Sequence, residues 1–147
     1  MIELGPKFSN TWRGYPTRFS PTDHELWKKW IPKHYQEYNG FYFDVRIMNP
    51  AELPPNLEPE MARMWLVNRA RKIDMIAVKG DQALIVEFRD RAGLSVIGQI
   101  MGYKALIMLE NPWPLEPQIL VVSDTIEQNV QDALFMLKVP FELIPPA

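Results

Sequence analysis

The chain has 147 residues, 47% of them hydrophobic and 12% aromatic, which suits one packed domain and excludes a disordered chain. It has no cysteine, a formal charge of −2 and an isoelectric point near 5.7, so disulfides and thiolate metal sites are excluded and there is no global attraction to phosphate. No apolar run approaches the roughly 20 residues that cross a bilayer, and the opening MIELGPKFSN lacks the apolar core of a secretion signal, so a cytoplasmic protein without membrane contact is expected.

Residues 1–20 carry prolines, glycines and isolated aromatics (Phe8, Trp12, Tyr15, Phe19) without a helical or alternating period, and read as an extended arm ahead of one α/β domain over 21–147. Such an arm either packs across its own domain or grips a neighbouring subunit. Ser20-Pro21-Thr22-Asp23 offers capping side chains for a helix whose apolar face is Leu26, Trp27, Trp30 and Ile31. That helix ends near Pro32 or continues irregularly to Tyr38, before Asn39-Gly40 breaks it. Phe41 to Ile47 alternates as a strand. After a proline-rich connection over 49–59, Met61, Met64, Trp65 and Leu66 recur at helical spacing in Glu60 to Ala70 and are expected in the core.

Two apolar runs follow, Ile73 to Val78 and Ala83 to Phe88, separated by Lys79-Gly80-Asp81-Gln82, which has the polar, glycine-containing character of a hairpin turn. Leu94 to Leu109 reads as a long helix, with Gly98 and Gly102 one turn apart, as close packing against a sheet requires. Asn111-Pro112-Trp113-Pro114 ends it. Gln118 to Val122 is a short buried strand, Ser123-Asp124-Thr125 can cap a helix over Ile126 to Leu137, and Val139 to Ile144 makes a last strand. The order predicts a mixed central sheet covered by helices, with a right-handed crossover wherever two strands joined through a helix are parallel.

Asp74 lies in the first hairpin strand and Glu87 in the second, so pairing through the turn sets two carboxylates side by side near one end of the sheet. There they could share a divalent ion. Glu87 and Arg89 are two apart in a strand and share a face. Gln99 and Tyr103 are four apart in the helix and share another. All five could converge on one pocket edge, with Glu25 of the first helix as a further carboxylate. Arg63, Arg69, Arg71, Lys72, Arg89 and Arg91 could form a local basic patch for DNA. His24 and His34 have no metal-ligand spacing.

Over roughly residues 70–110 these motifs resemble the PD-(D/E)xK nuclease-like superfamily: Arg71-Lys72-Ile73-Asp74 as its acidic strand, Glu87-Phe88-Arg89 as its E-x-K tripeptide, and Gln99 to Tyr103 as its Q-x-x-x-Y. The resemblance implies a restriction-endonuclease-like core in which Asp74, Glu87 and the Phe88 carbonyl hold magnesium, and a Mg2+-dependent DNase acting as endonuclease or exonuclease if the site is intact. The departure is Arg89, where the family places lysine. A guanidinium stays charged and planar, so it can clamp an anion without acting as a movable amine. Lys72 and Lys104 are the nearest lysines that could replace it. An impaired site, together with the aromatic, proline-rich arm, favours a structural or assembly role in a homo-oligomer or with other assembly proteins, for example in a tailed-phage virion head, neck or tail.

Overall fold

The computed structural model describes residues 1–145. Its centre is a mixed sheet of seven strands: β1 (Ile2–Glu3), β2 (Phe8–Ser9), β3 (Gly40–Ile47), β4 (Arg71–Lys79), β5 (Gln82–Ala92), β6 (Gln118–Ile126) and β7 (Phe141–Leu143). β3, β4 and β5 run antiparallel, β5, β6 and β7 run parallel, and β1 and β2 both pair with β3. Four helices flank the sheet among the described residues: α1 (Pro21–His34), α2 (Pro59–Arg69), α3 (Ser95–Leu109) and α4 (Gln128–Met136). This is the mixed, helix-covered architecture expected from the order of elements.

Local chemistry explains the elements that position the site. The β4–β5 hairpin closes at Lys79↔Gln82 because Gly80 adopts φ +57°, a left-handed conformation costly for a residue with a Cβ. At the start of α1 the Ser20 hydroxyl accepts from the Asp23 amide at 3.1 Å, and Pro21 fills a position where no amide donor is needed. α1 continues through Pro32 to His34 and a single 3₁₀ turn at Tyr35–Glu37, the longer of the two expected endings.

The sheet has a core on each face. On one, α1 buries Leu26, Trp27, Trp30 and Ile31 against Phe41, Phe43, Met75, Val86 and Phe88. On the other, Val96, Ile100 and Ile107 of α3 and Val130 and Leu134 of α4 cover Ile73, Ile76, Ile85 and Val121. The segment 1–20 lies along its own domain: Phe19 is buried on the α1 face, and Trp12 packs with Phe8 at 4.4 Å and with Trp27 at 6.0 Å between ring centroids.

Four local expectations are corrected. Ser123, Asp124 and Thr125 do not cap α4 but continue β6, because β5 runs beyond Phe88 and pairs as far as Ala92↔Ile126. The Ser123 hydroxyl, fully buried, accepts from the Ala92 amide at 3.3 Å and donates to the Thr125 carbonyl at 3.0 Å, which ties the two strand ends together. β7 is shorter than Val139 to Ile144, although the Ile144 amide still donates to the Ser123 carbonyl at 2.7 Å. α2 buries none of its residues and leaves Met61 and Met64 exposed. It rests at the outer rim, where Arg63 clamps Glu3 of β1 through two hydrogen bonds of 3.0 and 3.1 Å. Gly98 and Gly102 do not face the sheet, since a Cβ added at either would meet nothing within 4 Å.

Candidate active site

The β4–β5 ladder runs from Lys79↔Gln82 to Met75↔Val86, and beyond that pair the strands are joined through side chains. Glu87 Oε1 accepts from the Asp74 amide at 3.2 Å, and Asp74 Oδ2 accepts from the Phe88 amide at 3.0 Å. Each carboxylate therefore takes a main-chain donor where the ladder has ended, which places both acids at the fork. β3 is distorted at the same level: the register holds from Phe43↔Met75 to Val45↔Ile73, but the Asp44 position opposite Asp74 drops out of the ladder, with Asp44 at φ +51°. Aspartate is among the few residue types that tolerate this conformation.

The Arg89 guanidinium fills the fork. Its Nη1 donates to the Phe88 carbonyl at 3.0 Å and lies 3.4 Å from Asp74 Oδ2. Its Nη2 donates to Gln99 Oε1 at 2.8 Å and lies 3.1 Å from Glu87 Oε2. One planar cation thus touches four acceptors from β4, β5 and α3, the multidentate recognition that a lysine ammonium does not provide. The Glu87 side chain is 1% exposed and that of Arg89 is 32% exposed, so the pair sits at the inner end of an open notch.

Burial is the dominant influence on both acids and raises the Asp74 and Glu87 carboxyls above their ordinary ranges. The Asp74 charge pushes Glu87 further up, and Arg89 opposes the rise in both. Two carboxylates this close share protons as a unit, with the guanidinium as counter-ion. Tyr103 is half-buried nearby, and its phenol is raised first by desolvation and then by the charge of Glu87.

Asp74, Glu87, Arg89 and Gln99 thus meet directly, with Tyr103 beside them. Glu25 does not join them: it is exposed and pairs with Lys28. Lys104 also turns elsewhere, its Nζ 3.2 Å from Glu116. Lys72 lies closer, lining with Asp74, Asp44, Thr17, Arg18 and Phe19 a cleft of about 180 Å³ beside the fork. Of the other basic residues, Arg63 is taken by Glu3, and Arg69 lies over the Trp65 ring at 3.3 Å.

Sequence reasoning missed two acids. Burial raises the Asp23 carboxyl above its ordinary range, against the opposing effects of the Ser20 hydrogen bond and the Arg89 charge. Its capping position was legible; its approach to Arg89 depends on how α1 packs. Asp44 is 6% exposed, accepts from Arg46 at 3.0 Å and lies 3.4 Å from Arg18 Nε. The available signal was an acid interrupting the apolar alternation of Phe41 to Ile47.

The oxygen donors that a magnesium ion would take at about 2.0–2.1 Å are Asp74 Oδ2, Glu87 Oε2 and the Phe88 carbonyl. All three face the Arg89 guanidinium within 3.4 Å, so this arrangement does not fit an ion. Nor are any three His, Asp or Glu side chains grouped to hold a metal among the described residues.

No protein-family model matches the chain, and no curated sequence does either. Solved structures do resemble it. A repair endonuclease from Pyrococcus abyssi aligns with a TM-score of 0.51 at 13% identity over 91% of this chain and 50% of its own. The EndoMS–dsDNA complex gives 0.50 at 12% identity over 91% and 49%, and protein VC1899 from Vibrio cholerae gives 0.50 at 14% over 81% and 27%. The chain spans half or less of each neighbour's length. At these identities the likeness shows the fold alone: a mixed α/β sheet flanked by helices, shared with the two endonuclease structures.

Proposed function

We propose that this protein is a nuclease-fold domain whose catalytic position is blocked by its own arginine and which acts as a structural or assembly component, in contact with DNA. The observation that carries the reading is the Arg89 guanidinium bonded or paired to Asp74, Glu87, Phe88 and Gln99 at once. It neutralises the acids and occupies the space between the oxygens that would bind an ion. What remains is a notch filled by a neutralised guanidinium, with Lys72 and Arg18 lining the adjoining cleft as the cations suited to holding a phosphate rather than cutting its ester. One structural neighbour was solved with double-stranded DNA, which supports DNA as the contact. A virion head, neck or tail as the setting follows from the family resemblance alone.

The test is incubation of the protein with linear and supercoiled DNA in magnesium or manganese, beside Asp74→Ala, Glu87→Ala and Arg89→Lys. The wild type should bind DNA in a salt-dependent manner and leave it uncut. Cleavage by the wild type that disappears in both alanine variants would establish a Mg2+-dependent DNase instead, with Arg89 moving aside to admit the ion. Cleavage gained in Arg89→Lys would identify this residue as the missing part.

A further inference from the structure

α3 carries one charged residue in fifteen, Lys104, and only part of its surface is covered. Val96, Ile100 and Ile107 face the sheet. At about 100° per residue the opposite half of the helix presents Leu94, Gly98, Met101, Gly102, Ala105, Leu106, Met108 and Leu109, with Ser95 as its one polar side chain. A surface helix normally turns charge toward water, and one that is apolar all round is normally buried. Leu94, Gly98, Met101, Ala105 and Met108 also follow each other at alternating steps of four and three, the spacing of a helix-pairing seam.

We propose that this face of α3 pairs with the same face of a second copy of the chain, antiparallel, about a two-fold axis between Met101 and Gly102. The argument for a second copy is that the face complements itself. Reversed about that point, Leu94 meets Leu109 of the partner subunit, Gly98 meets Ala105 of the partner subunit, and Met101 meets Gly102 of the partner subunit. Large side chains meet at the ends, Gly98 and Ala105 meet between, and at the centre each Met101 enters the notch over a glycine where a Cβ would touch nothing within 4 Å. The absence of charge on the face removes any repulsion from symmetric pairing, and small residues let the axes approach to about 8 Å.

The area suffices for a weak, specific dimer. The exposed parts of Leu94 (61%), Met101 (42%), Leu106 (37%), Met108 (44%) and Leu109 (79%) come to on the order of 500 Å² per copy, so pairing buries at most about 1,000 Å², the low end for a specific contact. Gln99, which holds Arg89, points about 100° round the helix from the middle of this face, so the pairing does not use the residues of the notch. The dimer stands whether or not the protein cuts DNA.

Sedimentation equilibrium from micromolar to submillimolar concentration should show a reversible monomer–dimer equilibrium. Gly98→Gln sets a long side chain against Ala105 of the partner subunit, and because its Cβ has open space and glycine is a poor helix former, the monomer should fold and melt at or above the wild-type temperature. The same substitution should weaken dimerisation roughly tenfold or more by overpacking the contact. The chain has no cysteine, so Met101→Cys, next to the axis, should form a disulfide-linked dimer on mild oxidation, whereas Leu94→Cys should link only when mixed with Leu109→Cys. A monomer at every concentration, an unchanged dimer in a folded Gly98→Gln, or ready self-linking of Leu94→Cys would each overturn the proposal. So would open-ended chains, which would instead mean a head-to-tail contact, for example with exposed Phe135 and Met136 at the end of α4.

Discussion

Arg89→Ala tests the electrostatics of the fork most directly. It leaves Glu87, 1% exposed, and Asp74 without a cation and opens the Phe88 carbonyl and Gln99 Oε1 to water. Removing one partner of a buried ion pair costs roughly 3–5 kcal/mol, but Arg89 retains 32% exposure and Glu87 escapes part of the penalty by holding its proton up to about pH 9. The charge left uncompensated near pH 8 rests mainly on Asp74, so the expected loss is about 1–3 kcal/mol, or roughly 3–9 °C in Tm for a domain of this size. Near pH 5 both raised carboxyls are closer to neutral, and the loss should shrink below about 1 kcal/mol. Urea unfolding of wild type and variant at the two pH values measures both. An unchanged Tm at pH 8 would refute the counter-ion role, and an equal loss at both values would mean that Arg89 acts through packing of its stem.

Three further outcomes follow from the same geometry. With Arg89 removed the oxygen donors are free, so magnesium at about ten times its dissociation constant should raise the variant's stability by about 1.4 kcal/mol and leave the wild type unchanged in thermal melts. Glu87 is raised in the fold, so the unfolded chain releases that proton first: the Glu87 contribution to stability is fully present below about pH 4.5 and is lost as pH rises from there toward about 9. Glu87→Gln should flatten that decline in unfolding curves measured across the range, and an unchanged slope would move its origin elsewhere. Ser123→Ala strips the acceptor from the Ala92 amide and should cost about 1–3 kcal/mol, with faster hydrogen exchange at Ala92 as the specific readout.

The hairpin at Gly80, the capped start of α1 and its Leu26, Trp27, Trp30 and Ile31 stripe were all legible in the chain, because each rests on residues within a few positions of one another. The placing of Asp74 and Glu87 followed from the same local information, since a tight turn and an alternating pleat set which residues of adjoining strands become neighbours. The extension of β6 through Ser123 to Ile126 was not legible, because it depends on β5 offering unpaired main-chain groups as far as Ala92. Nor was the exposure of Met61 and Met64: helical spacing shows that an apolar stripe exists and not that the fold supplies a surface to cover it.

Sequence alone determined the element order from α1 onward, the two acids and the arginine two residues beyond Glu87, all properties of composition and short-range spacing, whereas the pairing of β1 and β2 with β3 was not legible in the irregular first twenty residues. Only the tertiary structure decided that this arginine turns inward onto four acceptors, that Asp23 and Asp44 stand near the fork, and that the glycines of α3 face outward. Those outcomes depend on which distant surfaces meet, and the energy of a buried charge or an uncovered helix face is set by neighbours far away in the chain.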